Sequence, residues 1–239
     1  GHTADVRLID GVIAGYDAAD PYSRPLADRP LGHGRIGVPL RHQRVFFGDP
    51  ESEYLYDRAL EVLGQSAEIV EIDIEPLLEA ARLLYEGPWV AERTAAMAGI
   101  LAGNPDAIDP TVREVVEPGL TMSAVDLFNG IYRMADLKRH ADDQWDKVDL
   151  LAFPTAGTTY RVVELKAAPV ALNSAFGRYT NFVNLLDMAA VAVPAGIRTN
   201  ATGFGITLIG PADSDRALLD IADTYLARAD LPSPPPLDL

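Results

Sequence analysis

Cysteine is missing altogether from this chain of 239 residues. That absence removes disulfide bonds, thiolate catalysis and Cys-ligated zinc from consideration. Long apolar runs are missing too, since no stretch approaches the roughly 20 apolar residues that a membrane-spanning helix needs. Positive charge is scarce: 20 Lys and Arg stand against 35 Asp and Glu, a formal net charge of −15. Such a surface repels phosphate backbones and anionic headgroups, so neither nucleic acid nor a membrane is expected as a partner. Histidine is limited to His2, His33, His42 and His140, with no metal-binding spacing among them. No metal or cofactor is expected. The serines form neither a Gly-x-Ser-x-Gly elbow nor a Ser-x-x-Lys pair. Gly32-His33-Gly34-Arg35-Ile36-Gly37 imitates a dinucleotide loop, but it precedes a strand instead of opening a helix.

What is present is globular: 48% of residues are hydrophobic, enough to bury a core. The chain starts Gly1-His2-Thr3 without Met and enters helical periodicity at once, as though it began inside a longer domain. With no signal-peptide pattern at that start, a cytoplasmic protein is expected. The spacing predicts a helix over Thr3–Ala14 capped by Thr3, then a loop from Gly15 to Gly34. A strand at Arg35–Pro39, a helix at Glu51–Leu63 closed by a left-handed Gly64, and a strand at Ala67–Ile74 form a β-α-β unit. Helices are predicted at 76–85, 88–101 and 109–116, with a long one at 124–148 capped by Ser123 and Asp126. A buried strand at 149–154 leads into a long Gly/Ala/Thr-rich loop at 155–179. A short helix at 180–187, strands at 189–193 and 204–210, and a closing helix at 213–229 complete the pattern. Pro232 to Pro236 cannot join a sheet. The pattern as a whole reads as one α/β layer structure.

Within it, Tyr85-Glu86-Gly87-Pro88-Trp89-Val90-Ala91-Glu92-Arg93 stands out. Pro stops a helix that runs into it but is tolerated where one begins, so one helix ends near Tyr85 and another starts at Pro88. The break can aim the Tyr85 phenol and the Arg93 guanidinium into one space, a pairing suited to a small carboxylate. The same residues also fit a kinked surface helix with an exposed Arg and a half-buried Tyr.

Several stretches together resemble the amidase-signature family. They are Asp10 to Pro21, Tyr85 to Arg93, Pro154-Thr155-Ala156-Gly157-Thr158-Thr159-Tyr160, Leu172-Asn173-Ser174, Arg178 to Asp187, and Gly203 to Pro211. The Tyr85–Arg93 stretch is similar to the allophanate hydrolase branch in particular. The resemblance covers the C-terminal half of such a domain, here residues 1–231, with 232–239 as a Pro-rich tail. It implies an α/β fold, a mixed sheet flanked by helices on both faces. It implies amide hydrolysis by a Ser–cis-Ser–Lys triad, with allophanate going to ammonia and carbon dioxide in urea breakdown. The family's Gly/Ser-rich signature is absent here, so no catalytic residue is carried over and the chain is expected to be inactive alone. Tyr85 and Arg93 are implied as the clamp for the substrate carboxylate, with Thr155, Gly157 and Asn173 lining the pocket. A small-molecule substrate is then the expected ligand. Half a sheet leaves apolar surface, so a homo-oligomer or the missing N-terminal half is expected as its cover. A non-catalytic assembly subunit, or a fragment of an amidase of other specificity, remains open at this stage.

Overall fold

The computed structural model describes residues 3–231. The Pro-rich segment 232–239 lies outside the described residues. Five strands form one sheet: β1 (Arg35–Pro39), β2 (Glu68–Ile72), β3 (Leu150–Pro154), β4 (Met188–Ile197) and β5 (Gly203–Pro211). Their order is β2-β1-β3-β5-β4, parallel from β2 to β3 and antiparallel across β3-β5-β4. The sheet is therefore mixed. Strand β3 sits at its centre and all five of its residues are buried, which is why it reads as an unbroken apolar run instead of an alternating one.

Alternation along β3 sorts the core into two layers. Leu150 and Ala152 point into a cluster with Tyr56, Leu60 and Leu63 of α2 (Pro50–Leu63) and Leu218 and Tyr225 of α9 (Asp215–Arg228). Leu151 and Phe153 point the other way, against Leu77 and Leu78 of α3 (Glu75–Glu86) and Met134 and Leu137 of α6 (Ala124–Asp142). Helices thus cover both faces. The Tyr56 hydroxyl donates to the Ala152 carbonyl at 2.8 Å inside the first layer, so the one polar atom of that ring is satisfied. Helix α1 (Thr3–Ile13) buries none of its residues. It is held to α9 by Thr3 on Asp223 and by Arg7 on Asp220 at 2.7 Å and Asp223 at 3.0 Å. No helix among the described residues is long and apolar enough to cross a membrane.

Several local expectations give way to tertiary structure. Gly64 ends α2 in right-handed geometry, φ −64°, so no left-handed cap forms. The long helix stops at Asp142 and tightens into a 3₁₀ turn at Asp143–Asp146, where Trp145 packs against the second layer. Pro194 does not end β4: the strand continues to Ile197 through an irregularity between Pro194 and Gly196. Strand β4 is an edge, where a residue lacking an N–H breaks no required ladder bond. The long loop predicted at 155–179 contains two helices, α7 (Val162–Ala167) and α8 (Pro169–Phe176). Glu164 accepts from the Arg161 amide at 2.6 Å to start α7, and Pro169 stands in the first turn of α8. The helix predicted at 180–187 is instead a run of turns mixing three-, four- and five-residue hydrogen bonds. Buried Tyr179, Phe182 and Leu186 pin those turns in the second layer, overriding helical propensity.

Candidate functional site

The interruption between α3 and α4 (Trp89–Gly103) builds the site. Gly87 leaves the helix in extended geometry, and its amide donates to the Leu83 carbonyl at 3.1 Å. A side chain there would run into the Leu83 backbone. Pro88 takes the cap position of α4, and its ring lies against buried Gly130 of α6. The break is thus seated on a third helix. Gly→Ala within a helix ordinarily stabilises by about 1 kcal/mol. At Gly130 the added methyl would strike the Pro88 ring, and overpacking costs about 1–3 kcal/mol. Gly130→Ala is therefore expected to lower the urea midpoint, and a raised midpoint would show that the Pro88 contact yields freely.

Tyr85 closes α3 and Arg93 sits in the second turn of α4. The guanidinium carbon lies over the Tyr85 ring, 4.9 Å from its centroid, within cation–π distance. The Arg93 fork makes no hydrogen bond or ion pair among the described residues, in a chain with 35 carboxylate side chains. Both residues line a cavity of about 700 Å³ together with Asn173. The Asn173 amide is turned back onto its own helix, donating to the Pro169 carbonyl at 2.8 Å. Thr111, Thr180 and Asn181 supply the cavity's other polar side chains.

Thr155 and Gly157 stand apart from that trio. Thr155 lines a second cavity of about 370 Å³ with Thr158, Thr159 and Arg198, and its hydroxyl lies 2.9 Å from that of Thr207. Phe176 borders both cavities. Gly157 is buried and lines neither; a side chain there would meet the Val45 carbonyl and the Phe47 ring. Phe47 has φ 52°, a left-handed conformation uncommon for a bulky residue, so this close approach belongs to a tightly constrained turn.

One constellation escaped the sequence reading. Arg198, 5% exposed, donates to the Ser52 hydroxyl at 2.8 and 3.0 Å and lies 3.3 Å from Asp49. Asp49 caps α2, accepting from the Ser52 amide at 3.0 Å and its hydroxyl at 2.6 Å, and also takes the Thr158 hydroxyl at 3.1 Å. The Asp49-Pro50 cap is visible in sequence; its partner 146 positions from Ser52 is not. Burial works to raise the Asp49 pKa, but the Ser52 and Thr158 donors and the Arg198 charge outweigh it and hold the carboxyl below its ordinary value. A carboxyl depressed in the folded state stabilises above its unfolded pKa and loses that contribution as pH falls through the folded one. Urea unfolding is accordingly expected to be nearly flat from about pH 7 to 5 and to weaken below about pH 4, with part of that acid loss gone in Asp49→Asn.

Among the described residues no cluster of His, Asp or Glu is placed to hold a metal ion. No lysine amine hydrogen-bonds a serine hydroxyl there either: Lys138 pairs with Asp142, and Lys147 reaches Gln144 at 3.5 Å. What the site holds is a guanidinium over an aromatic ring, with no ion pair to it among the described residues.

A family model described as Amidase matches residues 2–219. A urea amidolyase of Lachancea kluyveri is 41% identical over 215 residues, covering 88% of this chain and 12% of its own length. The urea amidolyase of Saccharomyces cerevisiae is 39% identical over 211 residues, 86% of this chain and again 12% of its own. A solved allophanate hydrolase of Kluyveromyces lactis superposes with a TM-score of 0.90 at 37% identity, over 95% of this chain and 38% of that one. The chain thus spans well under half the length of these relatives.

Proposed function

We propose, from the premise that the chain belongs to the amidase family, that it is the substrate-recognition portion of an allophanate hydrolase, inactive alone. The single observation that carries this reading is Arg93, a guanidinium without a carboxylate partner, over the Tyr85 ring at the wall of a cavity. A planar fork takes a carboxylate bidentately, fixing its orientation as well as its position. Anchored there, a carboxylated urea presents its amide at a set distance from the clamp. Binding energy at the remote group then serves to orient the reacting carbonyl. The nucleophile, a Ser activated through a second Ser and a Lys, belongs to a part of the domain that this chain does not carry. The products are ammonia and carbon dioxide, the second step of urea breakdown, in the cytoplasm.

Apolar side chains that lack a cover support a partner. Leu8, Val12 and Ile13 on α1, and Val125, Phe128 and Tyr132 on α6, are exposed. The remainder of the domain or a second copy covers them, and a pure assembly role is the second reading that these faces favour. The test is ammonia release by the complete protein from allophanate beside an uncharged amide of similar size. Preference for the carboxylated substrate is expected, whereas equal turnover or none would overturn the assignment.

A further inference from the structure

A cavity of about 220 Å³ lies between the end of α2, the last turns of α9 and the start of β1. It shares no lining residue with the Arg93 cavity or the Thr155 cavity. Ile36, Leu63 and Ile221 give it apolar walls. Tyr225 also lines it, only 3% exposed, and its hydroxyl makes no hydrogen bond among the described residues. Among those residues Arg178 Nε is the one buried polar side-chain atom that is fully enclosed without a partner. The Tyr225 hydroxyl therefore keeps an opening to solvent, and the cavity supplies it. The Tyr56 hydroxyl of the same core layer is by contrast bonded to the Ala152 carbonyl. Burial pushes the Tyr225 pKa up to about 12, so at neutral pH the phenol holds its proton and can donate it. Arg228 stands three residues further on α9, where side chains share a helix face. It lines the same cavity, and its guanidinium has no hydrogen bond or ion pair among the described residues. The carboxylate at the rim, Asp220, is taken up by Arg7 at 2.7 Å.

We propose that this cavity binds a small monocarboxylate with a compact apolar body, its carboxylate accepting from the Tyr225 hydroxyl and the Arg228 guanidinium. The two donors differ in kind, and both lack a partner that a carboxylate would provide. The free cation selects an anion over a neutral ligand. The apolar walls select a hydrocarbon body over phosphate or sulfate, whose oxygens would lose water against Ile36, Leu63 and Ile221 without a bond in return. A space of about 220 Å³ falls below the roughly 300 Å³ at which pockets for drug-sized ligands begin. That limits the body to a single ring or a short branched chain. The site stands apart from the Arg93 clamp and does not depend on it.

Isothermal titration with benzoate, benzamide and acetate tests this, carried out on the Arg93→Ala protein so that the clamp takes no part. Benzoate is expected to bind, and benzamide to bind at least about tenfold more weakly for want of a charge. Acetate is expected to bind at least about tenfold more weakly for want of a ring. Added to that background, Arg228→Gln and Tyr225→Phe should each weaken benzoate about tenfold. Tyr225→Phe should also leave the urea midpoint at or above that of its parent, since it removes a hydroxyl that has no partner. No binding of benzoate, or benzamide or acetate binding as tightly, would overturn the proposal and leave the reading of Arg93 untouched. Benzoate affinity unchanged by either added substitution would overturn it as well. So would a lowered urea midpoint in Tyr225→Phe, which would show that the hydroxyl is already bonded.

Discussion

Replacing Asp49 by alanine is expected to destabilise the fold by about 3–5 kcal/mol. Arg198 has only 4% of its side chain exposed and would remain in the interior without a counter-charge. Its remaining partners, the Ser52 hydroxyl, the Thr202 hydroxyl and the Gly203 carbonyl, are neutral and cannot replace a carboxylate. The same substitution removes the cap of α2, itself worth about 0.5–2 kcal/mol. Asp49→Asn separates the two causes, since an amide oxygen still caps the helix while the charge is gone. Combining Asp49→Ala with Arg198→Met should recover part of the loss, because an orphaned buried charge costs more than an apolar replacement. Urea unfolding of the four proteins checks the set. A loss below about 1 kcal/mol in Asp49→Ala would mean that solvent reaches Arg198 and the pair contributes as a surface one does.

In the complete protein, Arg93→Ala is expected to raise KM for allophanate about 30- to 150-fold, the loss of roughly 2–3 kcal/mol of charge-assisted hydrogen bonding. An uncharged amide should be affected little, since it has no carboxylate to lose. Arg93→Lys should restore only part of the loss: a point charge cannot form the two parallel bonds of a fork. Steady-state kinetics on both substrates gives the outcome. Equal losses for the charged and uncharged amide would point to a damaged fold around the break in place of a carboxylate clamp.

The break itself was legible because it is local. Gly87-Pro88 ends one helix and starts another wherever it stands, and strands β1, β3 and β5 announce themselves by apolar runs between turn residues. The Ser123–Asp126 capping box is equally local, two side chains three residues apart. The errors fall where distant contacts decide. Strand β4 runs past Pro194 because it lies on an edge, and edge position is a property of the whole sheet. Segment 180–187 has helical spacing but forms turns because Tyr179, Phe182 and Leu186 are each drawn into the second core layer.

The same division runs through the site. Sequence by itself determined the family resemblance, the broken helix, and the pair Tyr85 and Arg93 eight residues apart, all consequences of short-range stereochemistry and residue type. Only the tertiary structure decided that Arg93 lies over the Tyr85 ring without a carboxylate partner. It also brought Asn173 to the same cavity and placed Thr155 in the next one. It closed a buried ion pair between Asp49 and Arg198 as well. Those outcomes depend on which surfaces meet once the sheet closes, and loop closure joins residues far apart in the chain at a cost that grows only slowly with their separation. Spacing in sequence therefore carries no record of them.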